Sequence, residues 1–405
     1  MEYGVIGEHL KHSFSKEIHE KIGDYGYEIC EVSREDFDKF MRERDFRGIN
    51  VTIPYKELVI PYLHYIDPTA EEIGAVNTIV NRSGKLYGYN TDFYGLKSLI
   101  IKTGADIENK KVLVFGSGGT SKTAEYTVKK MGAAEVLRVS RSKKDGCITY
   151  EEARNAEADV IINTTPAGMY PNISGFPDDL ENYASVKSVV DVIYNPLKTE
   201  LVLQAERLGK ISSGGLYMLV SQAVYAAMHF EKAGENDLDR IYGEVYKEKE
   251  NVVLTGMPGS GKTTAGKIIA EKLNFKFIDT DDIITEKYGN ISDIFAAHGE
   301  EYFRKIEKEV ILEASAQSGA VISTGGGAVL ADENIKNLHH NGKIYFIDRP
   351  ISDILPTSDR PLSSDRASLE KRYAERFEIY KNTADFHIKA GKTPDETAER
   401  IVKAR

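Results

Sequence analysis

Residues Gly256-Met257-Pro258-Gly259-Ser260-Gly261-Lys262-Thr263-Thr264 follow a strand-like run, Asn251–Thr255, and precede a helix-like stretch, Thr264–Leu273. They fit G-x-x-x-x-G-K-[ST] without mismatch, in the strand-loop-helix context the motif needs. Glycines let consecutive backbone N–H groups turn inward, and the helix N-terminus adds partial positive charge. Lys262 is expected at the β- and γ-phosphates of a nucleotide, and the Thr263 hydroxyl at Mg²⁺. Phe277-Ile278-Asp279-Thr280-Asp281 reads as a strand ending in two acids on one face, one for Mg²⁺ and one for an acceptor hydroxyl. A bare D-x-D is also met as a solvated strand end with a capping Asp. Arg304 and Glu307 stand at i,i+3, the spacing of an ordinary helix-surface ion pair. Gly325, Gly326 and Gly327 follow the run Ala320–Ser323 and suggest close approach of a ligand to backbone.

A second chemistry is written upstream. Gly116, Ser117, Gly118 and Gly119 follow Lys111–Phe115 as a glycine-rich turn, with Ser121 where a full G-x-G-x-x-G has its third glycine. The next strand ends Ser140-Arg141-Ser142-Lys143-Lys144. Basic side chains where an NAD site has an acid suit a 2′-phosphate, so NADP(H) is favoured over NAD. His12–Ser15, Gly48–Lys56, Ile73–Thr78 and Gly88–Asp92 place hydroxyls, amides, Lys56 and Asp92 at strand ends. That mixture suits a pocket for a polyhydroxylated small molecule.

The positioning elements alternate in the α/β manner. Strands are expected at Tyr3–Ile6, Tyr27–Val32 and Gly48–Thr52, then at Lys111–Phe115, Glu135–Val139, Asp159–Asn163 and Ser188–Asp191. Gly215–Lys232 reads as a helix returning to the cleft. The expected division is a substrate lobe over 1–100, a Rossmann lobe over 101–235, a linker over 236–250 and a P-loop parallel-sheet domain over 251–405. The 405 residues carry 53 basic and 63 acidic side chains, a formal charge of −10. This balance argues against nucleic acid and anionic lipid as partners. No apolar run reaches the roughly 18 residues of a membrane span. Cys30 and Cys147 are too few for a disulfide framework, and a cytoplasmic enzyme acting on small molecules is expected.

From Asn251 onward the chain resembles shikimate kinase, through the phosphate loop, F-x-D-x-D, Gly299–Glu307, the three glycines, Asp359–Leu362 and Arg376–Asp385. The resemblance implies an NMP-kinase-like fold that transfers phosphate from ATP to shikimate. It implies Asp279 with Thr263 for Mg²⁺, and Asp281 on the substrate hydroxyls as proton acceptor. Arg304 and Arg376 would hold the carboxylate, Gly325–Gly327 would line the pocket, and Arg360 would act from a lid. The lid departs from the family: Leu355-Pro356-Thr357-Ser358 stands where a further Arg is usual, and Ser363 follows Arg360-Pro361-Leu362. A regulatory or weakly active kinase module is the alternative this leaves open.

The first half resembles shikimate dehydrogenase along nearly its whole length, through H-S-F-S, N-V-T-I-P-Y-K, G-A-V-N-T, G-Y-N-T-D, G-S-G-G and S-R-S, with Lys16 at a common Pro position. The resemblance implies reduction of 3-dehydroshikimate by NADPH, with Lys56 and Asp92 as the acid/base pair. Ser13 and Ser15 would hold the carboxylate, and Thr52, Asn77, Asp92, Tyr194 and Gln222 would face the substrate. Gly116, Ser117, Gly118, Gly119, Ser140, Arg141, Ser142, Lys143, Gly215 and Met218 would contact NADP. Shikimate, the product of one half, would be the substrate of the other.

Overall fold

The computed structural model describes residues 1–10, 14–144, 146–234, 237–354 and 366–405. Contacts group the chain into two compact units. The first comprises Met1–Met169, Gly175–Asn195 and Gln204–Tyr246; the second comprises Tyr170–Ser174, Pro196–Leu203 and Lys247–Arg405.

The first unit holds two six-stranded sheets. In chain order, the strands of one are β1 (Tyr3–Gly7), β2 (Glu28–Glu31), β3 (Gly48–Val51), β4 (Tyr65–Ile66), β5 (Thr78–Arg82) and β6 (Lys85–Tyr89), arranged β2-β1-β3-β5-β6-β4. β1 pairs in parallel with β2 and β3, whereas β3–β5 and β5–β6 are antiparallel. The β5–β6 turn uses Ser83 and Gly84, both at positive φ, the backbone a tight hairpin demands. The other sheet is wholly parallel: β7 (Lys111–Phe115), β8 (Glu135–Ser140), β9 (Cys147–Thr149), β10 (Val160–Asn163), β11 (Ser188–Asp191) and β12 (Ile211–Ser213), ordered β12-β11-β10-β7-β8-β9. Its central strands are rich in Val and Ile and almost continuously buried, as a sheet covered on both faces requires.

The helix Thr91–Thr103 serves both sheets. Asn90 caps it through a side-chain oxygen that accepts from Phe93 N. Its first turn carries Asp92, while Leu96, Leu99 and Ile100 pack with Val112, Val114, Val160 and Ile162. Burying each such side chain contributes about 1.5–3 kcal/mol. Gly95 admits the helix Leu216–His229, since a Cβ there would stand 2.8 Å from Met218 O and 3.0 Å from Gln222 Cβ.

The second unit contains β13 (Asn251–Thr255), β14 (Lys276–Asp279), β15 (Ala320–Ser323), β16 (Gly342–Asp348) and β17 (Phe386–Lys389), parallel and ordered β14-β15-β13-β16-β17. Helices Lys262–Leu273 and Pro394–Ala404 cover one side of its core through Ile269 and Ile401. Among the described residues no helix is long and apolar enough to cross a membrane.

Two local expectations are corrected. Residues 236–250, read as a linker, contain a twelve-residue helix, Leu238–Lys249, which buries Ile241 and Val245 beneath its charged face. The strand expected through Asp281 stops at Asp279, which caps the helix Thr280–Tyr288 by accepting from Asp281 N. The two acids are therefore a cap and a first-turn residue rather than strand neighbours.

A buried imidazole makes the first unit acid-sensitive. His19 stacks on Tyr27 with 3.8 Å between ring centroids, and its Nδ1 meets the Tyr25 hydroxyl at 2.6 Å. Burial lowers its pKa from 6.5 to about 3, against the opposing hydrogen bond with Asn50. The folded unit thus holds His19 neutral, and below pH 6.5 the unfolded chain gains a proton the folded one refuses. Stability is full above pH 6.5 and falls toward pH 3 by roughly 1.4 kcal/mol per pH unit from this group. Hydrogen-exchange free energies of the Tyr3–Gly7 and Gly48–Val51 peptides, followed from about pH 6 to 4, should show this slope. In His19→Gln the slope should shrink by about 1.4 kcal/mol per pH unit, and an unaltered slope would refute neutral burial.

Candidate active sites

In the first unit, Lys56 Nζ lies 2.6 Å from Asp92 Oδ2. The lysine follows β3 in a turn that Val76 N closes onto Lys56 O at 2.8 Å. Asn77 is next in the chain, and its Nδ2 donates to Asp92 Oδ1 at 2.9 Å and to Thr91 Oγ1 at 3.0 Å. Thr91 N donates to Asn77 Oδ1 at 2.7 Å, which fixes the amide's orientation. Both Asp92 oxygens are thus met by donors, as a buried carboxylate requires. Gln222, on the returning helix, brings Oε1 within 3.4 Å of Asn77 Nδ2.

The structure therefore gathers Lys56, Asn77, Asp92 and Gln222. Thr52 sits in the same turn, with its N–H on Ile6 O at 3.0 Å and its methyl against Gly7. Among the described residues no hydrogen bond ties Thr52 to the Lys56–Asp92 pair. Tyr194 meets the ring of Phe14 edge-on at 5.3 Å, and Phe14 immediately precedes Ser15, the first residue of the helix Ser15–Ile22. Burial pushes the Tyr194 hydroxyl's pKa up, keeping it a neutral donor. Ser13 lies outside the described residues.

The glycine-rich turn leaves its backbone open to close approach by a ligand. Gly116 has φ +121°, and a Cβ there would lie 2.4 Å from Thr164 Oγ1. Gly118 and Gly119 open onto free space at the start of the helix Gly119–Lys130. Ser121, at the fingerprint's third glycine, is buried and donates to Gly118 O at 2.6 Å, so the departure braces the turn. Ser140 ends β8 buried, and Arg141, Ser142 and Lys143 are exposed beyond it. Lys144, present in the basic run but not singled out there, reaches back to Ser117 Oγ at 3.1 Å. Gly215 starts the returning helix so close to Val192 that a Cβ would stand 2.1 Å from Val192 O. Met218 is buried in the core cluster below that helix.

In the second unit, Gly256, Gly259 and Gly261 all have positive φ, and a Cβ on Gly256 would meet Ile347 O at 2.7 Å. Met257 is buried, and Lys262 Nζ donates to Gly256 O and Met257 O at 2.9 and 3.0 Å. Gly261 offers the helix Lys262–Leu273 no side-chain cap, so the first-turn N–H groups face the loop for an anion. Thr264 is exposed in that first turn. Thr263 Oγ1 donates to Asp279 Oδ2 at 2.8 Å. A hydroxyl beside a carboxylate suits Mg²⁺, which takes one or two protein oxygens and completes its shell with water and phosphate. Among the described residues no group of three or more His, Cys, Asp or Glu could hold a metal ion.

The three glycines are sterically required. A Cβ on Gly325 would stand 2.7 Å from Asp281 Oδ1 and 3.0 Å from Glu307 Oε1; one on Gly326 would stand 2.7 Å from Pro258 Cδ; one on Gly327 would stand 2.2 Å from Arg304 Nη1. Gly326 O accepts from Arg376 Nη1 at 3.0 Å and from the Tyr380 hydroxyl. Arg304 pairs with Glu307 at 2.7 Å and Glu300 at 2.9 Å. Glu307, read at first only as a surface partner, is buried, and among the described residues its Oε1 has no hydrogen-bond partner. Burial pushes its pKa up against the pull of Arg304 and Arg376. Its i,i+3 spacing from Arg304 was visible in the sequence; its burial depends on the glycine loop folding over it. The loop thus assembles Asp281, Arg304, Glu307 and Arg376. Arg360 lies outside the described residues.

Comparison with known proteins agrees with both halves. A family model of shikimate kinase matches residues 258–405, and one of the shikimate dehydrogenase substrate binding domain matches residues 5–79. The NADP(+) shikimate dehydrogenase of Clostridium beijerinckii is 37% identical over 241 residues, 55% of this chain and 89% of that protein. That of Caldicellulosiruptor bescii is 36% identical over 257 residues, 55% of this chain and 87% of the relative. The crystal structure of shikimate dehydrogenase 1 from Peptoclostridium difficile is 37% identical, with a TM-score of 0.56 over 60% of this chain and 98% of the other. A Thermus thermophilus shikimate 5-dehydrogenase, solved with NADP(H) and shikimate, is 26% identical with a TM-score of 0.55, covering 60% of this chain and 99% of its own. An NADP site and an ATP site accompany these families, and the two cradles above have the glycines and donors to form them. The chain belongs to the shikimate dehydrogenase family through its N-terminal part and carries a shikimate kinase domain at its C-terminus, which makes it a bifunctional shikimate-pathway enzyme.

Proposed function

We infer that the first unit reduces 3-dehydroshikimate to shikimate and the second phosphorylates shikimate to shikimate 3-phosphate, in the cytoplasm where NADPH and ATP are both supplied. The observation that carries this reading is a matched pair of polar sites, Lys56–Asp92–Asn77 in one unit and Asp281–Arg304–Arg376 around a glycine loop in the other.

In the reduction, the nicotinamide supplies hydride to the ketone carbon when bound. Lys56 Nζ gives its proton to the forming alkoxide oxygen and regains one from solvent. Asp92 holds the ammonium in place at 2.6 Å, and Asn77 holds Asp92 from its other oxygen. Thr52, Asn77 and Gln222 supply donors and acceptors for ring hydroxyls, and Ser13 with Ser15 and Tyr194 takes the carboxylate end. Gly116–Gly119, Ser140–Lys143, Gly215 and Met218 hold the dinucleotide, with Lys144 added by the structure.

In the phosphorylation, Asp281 accepts the proton of the attacking hydroxyl, whose oxygen bonds the γ-phosphorus as ADP leaves. Arg304 and Arg376 hold the substrate carboxylate, a geometry to which planar guanidinium groups are suited. Lys262 and the N–H groups of Gly256–Thr264 stabilise charge on the transferred group, and Arg360 completes that task from the lid. Thr263 and Asp279 would hold Mg²⁺, which would supply positive charge to offset that of the phosphates.

Four outcomes test the reading. Incubation with 3-dehydroshikimate, NADPH and Mg-ATP should yield shikimate 3-phosphate, and accumulation of unphosphorylated shikimate would favour a regulatory role for the second unit. Lys56→Ala should slow reduction by about 10²–10⁴-fold and leave phosphorylation of added shikimate intact. Lys262→Ala should do the converse, and loss of both activities from either change would contradict separate sites. Gly325→Ala should lower phosphorylation at least about 100-fold, because the new methyl must displace Asp281 or Glu307, with dehydrogenase turnover as the internal control.

A further inference from the structure

Arg349, between β16 and Pro350, belongs to none of the motifs singled out in the sequence. Its Nε donates to Ser260 O at 3.2 Å, on the phosphate loop. Its Nη2 lies 3.5 Å from where a Cβ on Gly261 would stand, beside the start of the helix Lys262–Leu273. The side chain is half-buried. No carboxylate pairs with it among the described residues. The adjacent Asp348 is engaged elsewhere, by His387 Nε2 at 2.9 Å and the Tyr373 hydroxyl at 3.3 Å.

This is an unusual place for such a group. In a chain of net charge −10 acids are plentiful, and Arg304 and Arg366 each find one within their own helices. A half-buried guanidinium without a counter-ion carries a desolvation cost that an anion would offset. A guanidinium has five N–H donors, and the carbonyl of Ser260 takes one. The remaining donors stand next to helix N–H groups that no side chain caps.

We propose that Arg349 is a nucleotide-binding residue of the second unit: its guanidinium pairs with the polyphosphate of the bound nucleotide, while Nε anchors it to the loop through Ser260. The proposal rests on the ATP-dependent reading of this unit. Lys262 and Arg349 then both hydrogen-bond backbone carbonyls of the phosphate loop. Lys262 is oriented by Gly256 O and Met257 O, and Arg349 by Ser260 O, so both cations are held before the anion arrives.

Full-length Arg349→Ala and Arg349→Lys proteins, titrated with Mg-ADP by calorimetry at two salt concentrations, test it. Arg349→Ala should weaken Mg-ADP binding by about ten- to hundredfold, as expected for losing hydrogen bonds to a charged group. The salt dependence of binding should fall with it, because a phosphate-facing charge has gone. Arg349→Lys should recover part of the affinity through charge alone. The KM for shikimate and the dehydrogenase turnover should stay within about twofold of the parent. Mg-ADP affinity within twofold of the parent in Arg349→Ala, even beside a lowered Tm, would show that Arg349 only braces Ser260 and would overturn the proposal. So would an equal loss of affinity for Mg-ADP and shikimate, the sign of a collapsed domain. A parent protein that binds no Mg-ADP at all would instead overturn the kinase reading itself.

Discussion

A carboxylate removed from water must be met by donors, and the candidate site of the first unit is arranged around one that is. Asp92 is mostly buried, and its two oxygens are taken by Lys56 at 2.6 Å and Asn77 at 2.9 Å. Leaving either oxygen unpaired would cost several kcal/mol, so the elements bearing the donors are constrained together. β3 delivers the Lys56 turn, β5 begins just after Asn77, the capped helix Thr91–Thr103 carries Asp92, and the returning helix adds Gln222. The antiparallel hairpin in an otherwise parallel sheet follows from the same demand. β5 must run back along β3 so that Asn77 lies at the end where Lys56 turns.

Backbone approach is the second constraint, and it explains why glycine recurs where ligands are expected. Gly116, Gly256 and the Gly325–Gly327 loop each sit where a methyl would strike a neighbour within 3 Å. The neighbours are informative. At Gly116 and Gly256 they belong to adjoining strands or loops, so the residue shapes the cradle. At Gly325 and Gly327 they are Asp281, Glu307 and Arg304, so the missing side chain makes room for functional groups themselves.

Much of this was legible in the sequence because it is local. The β-branched runs at β7, β10, β11 and β13 have one reading, and the phosphate loop is contiguous. The Lys56–Asp92 pairing is not contiguous, since the residues are 36 apart, and it became legible through resemblance to a family. Motif resemblance did not reveal three things. The D-x-D pair was split because an Asp at a strand end caps the next helix more readily than it prolongs the strand. Leu238–Lys249 forms a helix that buries Ile241 and Val245, four apart, a pattern their charged neighbours concealed. Glu307 looked like a surface partner because i,i+3 spacing says nothing about what folds over it.

Glu307 also bears on which carboxylate in the second unit can act as base. Asp281 Oδ1 and Glu307 Oε1 lie 2.7 and 3.0 Å from where a Cβ on Gly325 would stand, so the two carboxylates border the same glycine. Their surroundings differ. Glu307 is buried, its pKa is pushed up by desolvation, and its other oxygen is committed to Arg304 at 2.7 Å. Withdrawing it to collect a proton would strand the arginine that the proposed reaction uses to hold the carboxylate. Asp281 sits in the first turn of the helix Thr280–Tyr288, where the helix dipole favours the ionised form. In the proposed reaction Asp281 accepts the proton, and Glu307 keeps Arg304 aimed at the substrate.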